Sequence, residues 1–320
     1  MRDSDIAVVG MGCVLPGAAD LARFWANNVD GVDSVIEPPP DRFNGRLNFL
    51  LPCLGEASWP MTRGGFIPAD FRFDPLRYGV LPHAVRDGDP DQFLALTVID
   101  AALTDAGIPG DDPVRARCDV IMGRGGYPTN MMNEGSLQVD FLPHLLLYLR
   151  REFPDWSLDR FTEFVDGIRS VLTPNHVDSL VTGIPNLAAS RAANRLDLRG
   201  AAYTIDGACA SSLLAVEHAV DRLRAGRCDA AVACGLQLFQ LPVFWFVFSK
   251  LQALSPGNVM RPFDRRADGL LVGEGAGAVV LKRLRDARAS GDRVYAVIKG
   301  VGSSSDGRGT ALLTPNVRGQ

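Results

Sequence analysis

A single cysteine stands where a nucleophile would be placed. In the run YTIDGACASSLLAVEHAV, Tyr203 to Val220, Cys209 lies at the seam between an apolar strand pattern and an amphipathic helix pattern. Free backbone N–H groups and the positive end of the helix dipole favour a thiolate at such a seam. Its neighbours Gly207, Ala208 and Ala210 are small. They allow a sharp turn and let a carbonyl carbon approach the sulfur, with the Cys209 N–H available as one oxyanion donor. The chemistry this implies is acyl transfer to a thiol. A buried, inert structural thiol is the alternative that position alone leaves open.

A nucleophilic cysteine is commonly partnered by a base, and the chain has four histidines to offer. His218 lies nine positions past Cys209 on the same helix pattern, and at about 100° per residue it falls on the opposite face. His83 follows a proline in a loop-rich stretch, His144 sits in FLPHLLL, and His176 precedes VTGIPN. Each reads as a surface or packing residue, with a cysteine hydrolase using His83 or His176 as a weaker option.

The elements that must position Cys209 follow from periodicity. After Asn186 the sequence reads as helix LAASRAANRLDL, strand AAYTID, helix SSLLAVEHAVDRLRAG and strand CDAAVACG, an alternation that predicts a parallel sheet with helices on its faces. Ile6 to Val9 predicts another buried parallel strand, ending in a tight turn at Gly10 and Gly12. Leu21 to Asn28 predicts a short helix. Asp91 is expected to cap QFLALTVIDAALTDAG, a buried helix closed by Gly107, and CDVIMG predicts a second central strand. Ser136 to Leu172 predicts a helical excursion over one end of the sheet, and GAGAVVLKRL and RVYAVIKGVG predict two late strands. Gly10-x-Gly12 lacks the third glycine of a dinucleotide fingerprint, and GEGAGA lacks the Gly-Lys-Ser/Thr of a phosphate loop.

Composition sets the outer bounds. With 320 residues, 47% hydrophobic and 22% charged, the chain can bury a sizeable core. Its 33 basic and 37 acidic residues include no dense basic block, so nucleic acid is not an expected partner. Six cysteines (Cys13, Cys53, Cys118, Cys209, Cys228, Cys234) include no C-x-x-C pair, as expected in a reducing cytoplasm. The apolar opening is read as a strand rather than a signal peptide, and FLPHLLLYL and LPVFWFVF fall short of the ~20 residues of a membrane span. No membrane association is expected.

Three longer motifs go further. YTIDGACASS, RPFDRRADGLLVGEGAGAVVLKRL and GVGSSSDGRGTALLTPNVRGQ, with the opening DIAVVGMGCVLPGAADLARFWANNVDG, resemble the ketosynthase (β-ketoacyl synthase) domain of type I polyketide synthases. The resemblance implies an α/β, thiolase-like layered αβαβα fold. Residues 1–320 would form one ketosynthase domain, with the first half complete and a second half that begins near residue 255 and is cut at 320. It implies that Cys209 is the acyl-accepting nucleophile, in a D-x-A-C-x-S-S pattern on Asp206, Ala208, Cys209, Ser211 and Ser212, with Gly207 and Ala210 where many relatives carry Thr and Ser. The acyl group would arrive on the phosphopantetheine of an acyl carrier protein and be condensed with a decarboxylating malonyl-type extender, with no bound cofactor or metal. Arg261, Asp264, Asp268 and Glu274 would be structural. The family's two catalytic histidines belong to motifs that do not occur here, so this chain alone is expected to be condensation-deficient. The resemblance also implies a homodimer through the strand at about 201–206 and, in a longer protein, an adjoining acyltransferase domain. A non-catalytic remnant or a dimerisation or binding module is the alternative.

Overall fold

The computed structural model describes residues 4–39, 63–127, 129–170, 172, 176–238, 243–309, 314 and 316–319. Cys53, much of the loop-rich stretch before Asp91 and part of the final motif lie outside them. The described strands are β1 (Ile6–Val14), β2 (Val35–Ile36), β3 (Gly64–Gly65), β4 (Cys118–Gly123), β5 (Ala202–Ile205), β6 (Ala230–Gln237), β7 (Gly275–Arg283) and β8 (Ala296–Ile298). Between them run helices α1 (Leu21–Val29), α2 (Pro82–Asp87), α3 (Asp91–Asp105), α4 (Asn130–Ser136), α5 (Leu142–Glu152), α6 (Leu158–Arg169), α7 (Val177–Leu180), α8 (Leu187–Arg195), α9 (Ser211–Arg224), α10 (Val243–Lys250) and α11 (Leu284–Ser290).

Six strands form one sheet in the order β5-β4-β6-β7-β1-β8, and β2 pairs with β3 apart from it. Side chains alternate across a strand, so each central strand feeds two cores. Val120, Met122, Val232 and Cys234 pack with α3 and α8 on one face, while Ile121, Ala231 and Ala233 pack with α9 on the other. The result is a helical layer on each side of a sheet, three of the five layers that the resemblance implies.

The sheet is mixed, not parallel as the alternation predicted. β4 runs parallel to β5 and β6, the strands separated by the α8 and α9 crossovers. β7 is antiparallel to β6, and β1 is antiparallel to both β7 and β8. The first strand is thus inserted between two that come near the end, a long-range pairing that local pattern does not encode. β1 also runs through Gly10 and Gly12 instead of turning there. A Cβ at Gly10 would stand 2.7 Å from the Ala106 nitrogen, and one at Gly12 would stand 2.8 Å from that of Ala102. These glycines let α3 lie against the strand.

Asp91 does not cap α3. Pro90 holds the cap position, and the Asp91 carboxylate instead accepts hydrogen bonds from Arg124 beyond the end of β4. The helical excursion, α5 and α6, does not pack closely on the sheet; α4, which leads into it, rests on α7 and the 181–183 turn, and α6 buries none of its residues. None of the described helices is long and apolar enough to cross a membrane.

One buried acid sets a pH dependence. Asp89 is 1% exposed; its Oδ1 accepts from the Met131 N–H at 3.2 Å, and its Oδ2 has no hydrogen-bond partner. Burial pushes its carboxyl above the ordinary carboxylate value of 3.8, outweighing the hydrogen bonds from Thr129 and Met131 that favour the ionised form. Between the ordinary and the raised value the folded chain holds a proton that the unfolded chain has released, so this residue's contribution to stability is lost as pH rises through that window. Asp89→Asn is therefore expected to melt about 2–4 °C higher at pH 7. The gap should close as pH falls towards 4, as read by paired thermal melts.

Candidate active site

The sheet ends in glycine where the site lies. Gly123 of β4 pairs with Gly235 of β6, which pairs with Gly277 of β7, so a row of three residues without side chains crosses three strands. The N-terminal turn of α9 settles onto this row. A Cβ on Gly123 would stand 2.5 Å from the Ser212 nitrogen and closer still to the Ser211 carbonyl, and one on Gly235 would meet the Ser212 Cβ at 2.7 Å. The glycine row brings the start of α9 down to the end of the sheet.

Cys209 occupies a 3-10 turn, Ala208–Ala210, immediately before α9. Ala208 adopts φ +51, a left-handed conformation that costs a residue with a Cβ about 1–2 kcal/mol. Two side chains hold this turn in place. Ser211 Oγ accepts from the Gly207 N–H at 2.9 Å and donates to the Ala208 carbonyl at 2.7 Å. Asp206 accepts from the Ala208 N–H at 2.9 Å with Oδ1 and from the Gly126 N–H at 2.8 Å with Oδ2, joining the turn to the loop after β4.

The thiol is exposed, whereas Cys13, Cys118, Cys228 and Cys234 are buried. Burial pushes the thiols of Cys118, Cys228 and Cys234 up to about 12, assisted at Cys118 and Cys228 by the nearby Asp119 carboxylate. These three behave as small core residues. Cys209 lines a cavity of about 520 Å³ together with Tyr127, Gln237, Phe244, Phe248 and Glu274. Phe244 and Phe248, one helical turn apart on α10, stack at 4.3 Å, and Tyr127 meets Phe244 edge-on at 4.8 Å. An aromatic wall beside a thiol suits an aliphatic acyl chain.

The histidines lie elsewhere. None of the four lines the cavity. His218 faces Tyr203, with Nδ1 3.5 Å from the phenol oxygen. His83 Nε2 lies 3.1 Å from Asp178 Oδ2, and its ring meets that of His176 at 5.9 Å. His144 Nδ1 lies 2.6 Å from the Asp140 carbonyl. Among the described residues, no group of His, Cys, Asp and Glu has the arrangement of a metal site.

Arg261 Nη1 donates to Asp268 Oδ1 at 3.4 Å, and Ser255 Oγ donates to the same oxygen at 2.8 Å. Asp264 pairs with Arg266, whose side-chain and backbone hydrogen bonds hold its carboxyl below the ordinary range. Glu274 differs from these three. It is buried in the wall of the Cys209 cavity, where its Oε2 accepts from the Ile67 N–H at 3.3 Å.

Sequence reasoning missed the aromatic wall, although the i, i+4 spacing of Phe244 and Phe248 in LPVFWFVF offered a signal. Residues 3–154 and 155–287 match the family described as Beta-ketoacyl synthase, N-terminal domain. The chain belongs to the β-ketoacyl synthase family.

Its relatives include a phenolphthiocerol/phthiocerol polyketide synthase of Mycobacterium tuberculosis, 35% identical over 98% of this chain and 15% of the relative. A polyunsaturated fatty acid synthase of Thraustochytrium is 30% identical over 99% of this chain and 11% of that one. Among solved structures, the ketosynthase from module 6 of the bacillaene synthase of Bacillus subtilis 168 aligns with a TM-score of 0.72 and 26% identity, over 98% of this chain and 46% of that one. The PfaC keto synthase-chain length factor aligns with a TM-score of 0.81 and 29% identity, over 98% and 33%. This β-ketoacyl synthase chain thus spans a small fraction of these curated synthases and about half of a solved ketosynthase.

Proposed function

We propose that this β-ketoacyl synthase chain carries the acyl-accepting step of a polyketide or polyunsaturated fatty acid synthase. The observation that supports it most is the exposed Cys209 thiol on a clamped turn, opening into an aromatic-walled cavity. The acyl group arrives as a thioester on the phosphopantetheine of an acyl carrier protein. Cys209 Sγ attacks the carbonyl carbon, the bond to the pantetheine sulfur breaks, and that thiol leaves with the proton released by Cys209. The Cys209 N–H serves as an oxyanion donor. Condensation follows when a malonyl-type extender loses carbon dioxide and the resulting carbanion attacks the acyl carbonyl carbon, breaking its bond to Cys209 Sγ, which leaves as the thiolate.

Decarboxylation needs a polarising base, and no histidine lines the cavity. We therefore assign acylation to this chain's own residues and expect condensation by the chain alone to stay at background. β5 supports a further part of the reading: among the described residues it pairs only with β4, leaving one edge for a second copy. An adjoining acyltransferase domain in a longer protein would supply extender units.

The test is intact-protein mass spectrometry after incubation with hexanoyl N-acetylcysteamine thioester, followed by peptide mapping. One hexanoyl group on Cys209 is expected. No adduct, under conditions that label a complete ketosynthase, would overturn the acylation reading. Because a dimer is expected on either reading, a dimer by light scattering counts for the non-catalytic dimerisation or binding module only where Cys209 also takes no label.

A further inference from the structure

Behind the wall of the Cys209 cavity lies a second, much smaller one. It measures about 10 Å³ and is lined by Arg124, Thr129 and Gln237 among others. Gly125, Tyr127 and Gln237 line both cavities, so the two share a wall. Its size matches a single oxygen atom, near the lower limit of ~10–15 Å³ for one water.

The arginine is what makes this corner chemically specific. Arg124 is buried, its side chain 5% exposed, and Nε and Nη2 both donate to Asp91 Oδ2, at 2.9 and 2.5 Å. Nη1 is buried with no hydrogen-bond partner. A buried donor without an acceptor is costly, and such groups in folded proteins nearly always have a partner. Gln237 Nε2 donates to the Leu238 carbonyl at 3.2 Å and has a second N–H to offer. Arg124 thus lines the small cavity, and Gln237 lines both.

The charge balance selects the ligand. Asp91 already neutralises the guanidinium, and the Asp89 carboxyl lies close enough to interact with both. A carboxylate or phosphate would bring a further negative charge into a buried site that has no surplus positive one, at a high cost. A neutral hydroxyl or carbonyl oxygen carries no such penalty.

Resting on the reading of Cys209 as acyl acceptor, we propose that Arg124 Nη1 and Gln237 form an oxygen subsite of its cavity. The subsite takes one hydroxyl or keto oxygen borne by the acyl chain and so favours oxygenated acyl groups over fully reduced ones. A resident water has the same hydrogen-bonding chemistry, and the experiment separates the two sources.

The test measures Cys209 acylation rates for N-acetylcysteamine thioesters of hexanoate and of its 3-hydroxy and 5-hydroxy analogues. At least one hydroxylated thioester is expected to react about tenfold faster than hexanoyl, the order of one hydrogen bond to a charged group. The charge-neutral double variant R124Q/D91N and the wall variant Gln237→Leu are each expected to bring that ratio to about one. Gln237→Leu keeps the test open should the double variant fail to fold. Equal rates for all three thioesters in the unmodified chain would mean a resident water only and would overturn the proposal. So would a preference that survives both variants, or Gln237→Leu alone where the double variant does not fold. Absence of any adduct would overturn the acylation reading, and the subsite with it.

Discussion

Replacing Cys209 by alanine is expected to abolish acylation, with a fall in labelling rate on the order of 10³ or more, because the only attacking atom is removed. The side chain is exposed, so the melting temperature should stay within about 2 °C. Ser211→Ala separates the atom from the turn that presents it. It keeps the thiol but removes the hydroxyl that bonds Gly207 and Ala208, leaving Ala208 in its left-handed conformation with one clamp fewer. Labelling of Cys209 should then slow by about 10- to 100-fold, with a loss of about 1–2 kcal/mol in stability. A mass time course and a thermal melt on both variants decide this. Undiminished labelling of Cys209→Ala would place the adduct on another residue and end the assignment.

What the sequence disclosed, and what it withheld, divides along range. The strand-to-helix seam that places Cys209 on an exposed turn was legible because strand pattern, small residues and helix pattern follow one another in one short stretch. The helices α1, α3, α8 and α9 and the strands β4 to β8 were legible from local periodicity. Strand direction was not. Nothing near Ile6 indicates that its partners are Arg283 and Ile298, far along the chain. The fate of Gly10 and Gly12 had the same obstacle, since a glycine that ends a strand and one that admits a helix look alike until the helix is seen. Asp91 looked like a cap because helix starts attract aspartate, and only the fold brings Arg124 to it. The cavity walls were the least legible part, because Tyr127, Gln237, Phe244 and Glu274 come from four separate segments.

Gly123→Ala should be the most damaging single-methyl change near the site. Gly123 ends β4 in register with both Ile205 and Gly235, so it cannot shift without moving two neighbouring strands. The new methyl would press on the Ser211 carbonyl and the Ser212 nitrogen, backbone atoms at the start of α9 rather than the end of a flexible side chain. Interiors pack too densely to absorb such an intrusion. A loss of about 3 kcal/mol is expected, a fall on the order of 6–10 °C in melting temperature. The same displacement would lift the turn that carries Cys209, so hexanoyl labelling should drop by about 100-fold even at temperatures where the variant remains folded. Gly110→Ala is the matched control, because nothing lies within 4 Å of the Cβ it would add. If Gly123→Ala melted and labelled like that control, α9 would not rest on the glycine row, and the positioning of Cys209 would need another cause.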